Sequence, residues 1–71
     1  MDIYKLCMQD IVVLLKCDME SAKAEDTGSD YDAGVRMGMY YSLNTIKHEA
    51  VAFGIPLEEL GLADFHLEKF L

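Results

Sequence analysis

Histidine and cysteine, the residue types that most often bind metals or act as nucleophiles, are few in this chain and poorly spaced for either task. The chain contains two of each: His48, His66, Cys7 and Cys17. None of them stand three or four residues apart, the spacing at which two side chains of one helix can share a metal, and there is no C-x-x-C motif. One metal site stays open, built from His48, His66 and a carboxylate, with plain surface histidines as the simpler interpretation.

Other patterns that carry chemistry are incomplete. Asp30 and Asp32 begin like a calcium-binding loop, but Gly34 comes one place early, an oxygen ligand is missing before it, and no glutamate closes the loop. No serine lies in a nucleophile elbow, and there is no glycine-rich phosphate loop. Cys7 lies more than one turn into an apolar helix, so we expect buried, inert thiols. We therefore predict no catalytic residue, no metal ligand and no cofactor.

The charge of the chain is strongly negative. Thirteen acidic residues outnumber six basic ones, which gives a net charge of −7. This balance disfavours direct binding to nucleic-acid phosphates, which needs a basic face, and binding to an anionic membrane surface. The longest apolar run has five residues, 11–15, against the roughly 18 that a membrane-spanning helix needs. With no signal-peptide pattern and no disulfide expected, we predict a cytoplasmic protein.

Carboxylates are concentrated between residues 18 and 32. The six of them are Asp18, Glu20, Glu25, Asp26, Asp30 and Asp32. One lysine accompanies them, so the segment carries −5 of the net −7. The simpler interpretation is a solvated loop that favours the start of the next helix and keeps the chain soluble. The alternative is that Glu25, Asp26, Asp30 and Asp32 form a patch that faces a basic protein partner and steers its association.

The stretch from Ser29 to Phe53 is the longest segment that can form one helix. Its apolar residues recur at helical spacing and share one stripe. They are Val35, Met39, Leu43, Ile46, Ala50 and Phe53, with Tyr31 at the edge. Gly28 suits the turn that ends the preceding helix. Ser29 can cap this one, with Asp32 three residues on in the manner of a capping box.

Two further features of this helix bear on its neighbours. Gly34 and Gly38 lie four residues apart on another side and, together with nearby small residues, predict close approach of a second helix; glycines tolerated without a role are the alternative. Arg36 and Lys47 fall near each other on the helix. They can neutralise part of the acidic segment within the chain, which would weaken its case as a binding patch.

The first helix is predicted from Asp2 to Ala24. Its polar residues form one narrow strip, and the remaining arc, about 260° wide, is almost entirely apolar, against about 100° for an ordinary surface helix. Such a helix has to be covered on two sides. Either the rest of the chain wraps it, or one side faces a second copy. Because 71 residues bury only about 60% of their unfolded surface, we favour a homodimer with Ile3, Cys7 and Leu14 at the seam.

The C-terminal third carries the signals of short helices. Gly54 ends the second helix, and Pro56 suits the first turn of a new one, Pro56 to Leu60. After Gly61, Asp64 can cap a last piece from Phe65 to Phe70, with Phe65, Leu67, Phe70 and Leu71 closing the core. Residues 53–60, FGIPLEEL, resemble the end of many helix-turn-helix repressor domains. Neither the upstream helix pair nor a basic recognition helix accompanies them, so we do not infer DNA binding.

Together these observations predict one all-α domain, residues 1–71: a small bundle of two long antiparallel helices, forced side by side by the short link 25–28, and one or two short C-terminal helices. The predicted function is a small, acidic, non-catalytic protein-interaction module that forms a homodimer. The main alternative is an inhibitor of a basic nucleic-acid-binding protein, of the kind that phages and mobile elements encode. A small metal-dependent enzyme is the third.

Overall fold

Two long helices and two short 3₁₀ turns make up the fold. The computed structural model describes residues 2–70, in which α1 spans Ile3–Ala24, α2 spans Asp30–Ala52, and the 3₁₀ turns span Leu57–Leu60 and Leu67–Phe70. No strand occurs within this range. The prediction of an all-α fold with a long helical hairpin is confirmed.

Side-chain caps fix where both long helices begin. Asp2 is the cap of α1 and not its first helical residue: its Oδ1 accepts the backbone N–H groups of Tyr4 and Lys5 at 3.0 and 3.1 Å. Ser29 caps α2, where its Oγ accepts the Asp32 N–H at 3.1 Å. These bonds satisfy donors that have no partner inside the helix. As a result the predicted helix bounds agree with the structure to within one residue at each end.

The loop between the helices reverses the chain and places α2 antiparallel to α1. Gly28 adopts φ +86°, a left-handed conformation that residues with a side chain seldom adopt. Val12 and Met19 of α1 then meet Leu43 and Ala50 of α2, and all four are buried in one core cluster.

The C-terminal segment covers one side of this hairpin. It was predicted as short α-helices, but two 3₁₀ turns form, and residues 61–66 between them are not helical. The second turn begins at Leu67, three residues beyond the predicted cap Asp64. The segment completes the core with Leu60, Leu62 and Leu67, while Phe65 and Phe70 pack against it partly buried. Leu71, also predicted for the core, lies outside the described residues.

Polar residues of α1 hold the C-terminal segment in place. Lys16 Nζ donates a hydrogen bond to the Gly61 carbonyl at 2.7 Å and lies 4.9 Å from the centre of the Phe65 ring. Gln9 Nε2 donates to the Glu59 carbonyl at 2.7 Å. These two polar residues of the first helix therefore contact the backbone of the C-terminal segment. The two carbonyl groups accept hydrogen bonds from α1, which supplies donors from outside the segment.

The apolar stripe of α2 is only partly covered by the rest of the chain. Leu43 and Ala50 are buried, and Met39 and Ile46 are partly buried, but Val35 is 40% exposed and Phe53 77%. The stripe is wider than the surface that α1 and the C-terminal segment together cover. Its outer edge therefore faces away from the chain.

We predict that Leu62→Ala lowers the free energy of unfolding by about 2–5 kcal/mol, because it leaves a cavity where the C-terminal segment closes the core. The leucine is 1% exposed. Urea denaturation followed by circular dichroism measures the change. Val51→Ala, at a 64% exposed position, is the matched control and should stay within about 0.5 kcal/mol of the parent. Equal effects of the two substitutions would contradict the described packing.

Candidate interaction surfaces

The outward side of α1 is an uncovered apolar surface, which we call the α1 face. It consists of Ile3, Leu6, Cys7, Val13, Leu14 and Cys17, all of them exposed. Ile3 is 71% exposed and Leu14 56%. All three residues of the predicted dimer seam, Ile3, Cys7 and Leu14, belong to this face. The chain itself does not cover them, and whether a second copy does stays a prediction.

Helical geometry explains why this side is left uncovered. Val12 and Met19 point into the core, and at 100° per residue Ile3 and Leu14 lie about 180° to 200° from Val12. The C-terminal segment binds near the core side of α1, through Lys16, and so does not reach the opposite side. The wide apolar arc that the sequence shows is thus divided between a buried and an exposed half.

The cysteines lie on the exposed half, so the expectation of buried thiols was wrong. Cys7 and Cys17 are both free and exposed. The sequence neighbours of Cys7, Leu6 and Met8, are apolar but are themselves exposed, and those of Cys17, Lys16 and Asp18, are charged. Ten helical residues separate the two by about 15 Å, too far for a disulfide within one chain, which needs Cα atoms within about 7 Å.

A shallow apolar groove opens between the two helices at the end of the hairpin where α1 begins. Met8 of α1, Ile46 of α2, and Phe53 and Ile55 just after α2 are among the residues that line it. A neighbouring depression of about 330 Å³ extends it past Tyr4. Met8 lines both depressions, so the exposed edge of the α2 stripe continues to the beginning of α1 at this end of the molecule.

The small-residue strip of α2 has no close neighbour within the chain. A Cβ atom added at Gly34 or Gly38 would meet no other atom within 4 Å. No helix of the chain itself therefore approaches these glycines closely, and approach by a helix of another chain stays a prediction beside the alternative of glycines tolerated without a role.

Some carboxylates of the acidic segment are bound by other residues of the chain. Asp26 Oδ2 pairs with Arg36, a contact in which both side chains are largely buried, and Asp26 Oδ1 accepts the Gly28 N–H at 2.7 Å. Arg36 thus neutralises part of the cluster, as the sequence suggested. Glu25 and Asp30 are exposed. Of the four residues in the predicted partner-facing patch, those two are exposed, and Asp26 and Asp32 are half-buried.

Asp32, the fourth, has its carboxylate bound to the loop. It accepts the Thr27 hydroxyl at 2.5 Å and the Thr27 N–H at 3.0 Å. The Thr27 hydroxyl, followed by the Thr27 N–H, holds the pKa of Asp32 below its ordinary value, because both bonds favour the charged form. The carboxylate therefore ties the loop to the first turn of α2, and the reciprocal capping box with Ser29 does not form.

Comparisons with known proteins add no relative. No family model matches the chain, and no curated protein or solved structure matches it. Between residues 2 and 70, no three His, Cys, Asp or Glu side chains lie where they could hold one metal ion, so His48 and His66 are not brought into a shared site there. Over the same range, neither long helix is long and apolar enough to cross a membrane.

We predict that Asp26→Asn lowers the free energy of unfolding by about 1–3 kcal/mol, because it removes the charged partner of the partly buried Arg36. Glu25→Gln, an adjacent and exposed carboxylate, is the control and should change stability by less than about 0.5 kcal/mol. Urea denaturation at neutral pH measures both. If Asp26→Asn proved as mild as Glu25→Gln, the ion pair with Arg36 would make no net contribution.

A second prediction concerns pH. The pKa of Asp32 is lower in the folded chain than in the unfolded chain. Its contribution to the free energy of unfolding is therefore complete at a pH above the pKa of the unfolded chain. That contribution is lost as the pH falls from the pKa of the unfolded chain through the pKa of the folded chain. Carbon-13 NMR titration of the Asp32 carboxyl should give a pKa below that of an ordinary aspartate. Thr27→Ala should raise it part of the way, because the backbone N–H remains. An unchanged pKa in Thr27→Ala would exclude the hydroxyl as the cause.

Proposed function

We propose that this protein is a small, non-catalytic protein-interaction module of the cytoplasm that functions as a homodimer, with the α1 face at the interface between copies. The single observation that carries the proposal is the group of exposed apolar side chains along the outer side of α1, where Ile3, Val13 and Leu14 are each more than half exposed and Asp10 is the one charged residue among them. Soluble monomers seldom leave a large apolar surface uncovered, and where they do, it marks an interaction site.

The size and shape of the chain support this proposal. A compact monomer of 8.0 kDa exposes about 4,500 Å², whereas this chain exposes 4956 Å² and measures 42 × 21 × 17 Å. A stable interface buries about 800 Å² on each partner, roughly one sixth of that surface. The α1 face, extended past Tyr4 and Met8 into the groove, follows a helix about 33 Å long. It is the surface on which an interface of that size would fit.

The alternative function, inhibition of a basic nucleic-acid-binding protein through the acidic segment, has less support from the structure. Its predicted patch was Glu25, Asp26, Asp30 and Asp32, and the carboxylates of Asp26 and Asp32 are engaged by Arg36 and Thr27. The positive charge of Arg36 lowers the negative field that a basic protein would meet, whereas Thr27 is neutral and leaves Asp32 charged. Glu25 and Asp30 remain as the residues to change in a test of that function. No observation favours a metal-dependent enzyme.

We predict that the chain has the mass of a dimer, about 16 kDa, at micromolar concentration and that Leu14→Glu converts it to a folded monomer. The glutamate would replace an apolar contact by a further unpaired charge close to Asp10, which is strongly unfavourable. Size-exclusion chromatography with light scattering gives the mass, and circular dichroism checks that the helices persist.

The matched control is Val51→Glu, because Val51 is about as exposed as Leu14 but belongs to α2. This variant should remain a dimer. A monomeric parent would overturn the proposed self-association. A dimer that both substitutions leave intact would overturn the assignment of the interface to the α1 face.

A further inference from the structure

We infer that the two copies pack their α1 helices antiparallel, with Cys7 of one copy beside Cys17 of the partner subunit. This inference rests on the proposed homodimer and specifies the relative direction of its subunits. It follows from three features of the described chain: the spacing of residues along the α1 face, the position of Asp10, and the location of the acidic loop at one end of the hairpin.

The spacing of the seam is the same in both directions along the helix. The residues that follow the middle of the outward side are Ile3, Cys7, Asp10, Leu14, Cys17 and Ser21, separated by four, three, four, three and four positions, the alternation of a two-helix seam. An antiparallel pair centred near residue 12 therefore aligns all six layers at once. Ile3 then meets Ser21 of the partner subunit, and Cys7 meets Cys17 of the partner subunit.

Asp10 disfavours the parallel arrangement. In a parallel pair, equivalent residues lie opposite each other, so the two Asp10 carboxylates would meet in the middle of an apolar seam. Like charges directly opposite each other are destabilising. In the antiparallel pair each Asp10 lies beside Leu14 of the partner subunit, and the two carboxylates are displaced by four residues, about 6 Å along the axis.

The acidic loop favours the same direction. The segment from residue 18 to 32 carries six carboxylates, and only Asp26 has an arginine partner. A parallel dimer would place two such loops side by side. An antiparallel dimer would place them at opposite ends, about 33 Å apart along α1. That distance is several times the screening length of about 8 Å at physiological salt, so their mutual repulsion becomes negligible.

The two exposed thiols provide the test, because the described cysteines are the only two in the chain. We would prepare Cys7→Ser and Cys17→Ser, both conservative changes at exposed positions, and treat each alone and an equilibrated equal mixture with diamide. Diamide takes two electrons and two protons from a pair of thiols as the disulfide forms. Non-reducing electrophoresis and intact mass measure the linked dimer.

We expect the mixture to form a disulfide-linked heterodimer amounting to about half of the protein, the fraction that random pairing gives before oxidation, and more if subunits exchange during oxidation. Each variant alone should form at least severalfold less. In an antiparallel pair like cysteines are about 15 Å apart, beyond disulfide reach. Light scattering on the same samples before oxidation measures their mass, and so tests the proposed homodimer separately from the antiparallel arrangement of its helices.

If a dimeric sample links each variant with itself as readily as the mixture, the subunits are parallel, and the inference is overturned while the homodimer stands. If a dimeric sample links in neither case, Cys7 does not lie beside Cys17 of the partner subunit, and the inference is again overturned. If the samples are monomeric by mass, both this inference and the proposed homodimer fail.

Discussion

The fold depends on how a nearly irregular C-terminal segment is held against one side of a two-helix hairpin. Two helices alone touch along a single line, so about half of the apolar stripe on each helix stays uncovered. Leu60, Leu62 and Leu67 cover one of the two open sides. Apolar burial is non-directional, so it does not by itself fix the path of such a segment. The hydrogen bonds from Lys16 and Gln9 to backbone carbonyls provide that direction.

Local signals made the helices predictable from the sequence. Asp2 and Ser29 are good caps, and apolar residues recur at helical spacing, so both helices were placed to within one residue at each end. The C-terminal segment was less predictable: glycine and proline mark its turns, but they do not distinguish 3₁₀ from α-helical geometry. Its path is set by Lys16 and Gln9, which are 45 and 50 residues away in sequence from the carbonyls they bind, and one sequence does not reveal such pairs.

Some features of the candidate surfaces were likewise predictable from the sequence, and others were not. The width of the apolar arc on the first helix indicated that one side would be left uncovered, and Ile3, Cys7 and Leu14 are indeed exposed. Which residues of the α2 stripe enter the core depends on where the other elements end, and so the exposure of Phe53 was not predictable. For the acidic segment, Arg36 was recognisable as a neutralising residue by its charge and position. The binding of Thr27 by Asp32 was not, because it depends on the conformation of the loop.

If the proposed homodimer forms, the open side of α1 has a consequence for how the protein persists in a cell. A chain whose outer apolar surface is covered only by another copy of itself has a stability that depends on its own abundance, since association withdraws folded chains from the unfolding equilibrium. Freshly made chains at low copy number would expose Ile3 and Leu14 to chaperones and proteases. Chains above the dissociation constant would be protected. The lifetime of the protein would then rise steeply with its rate of synthesis, giving a threshold in its accumulation without any separate regulator.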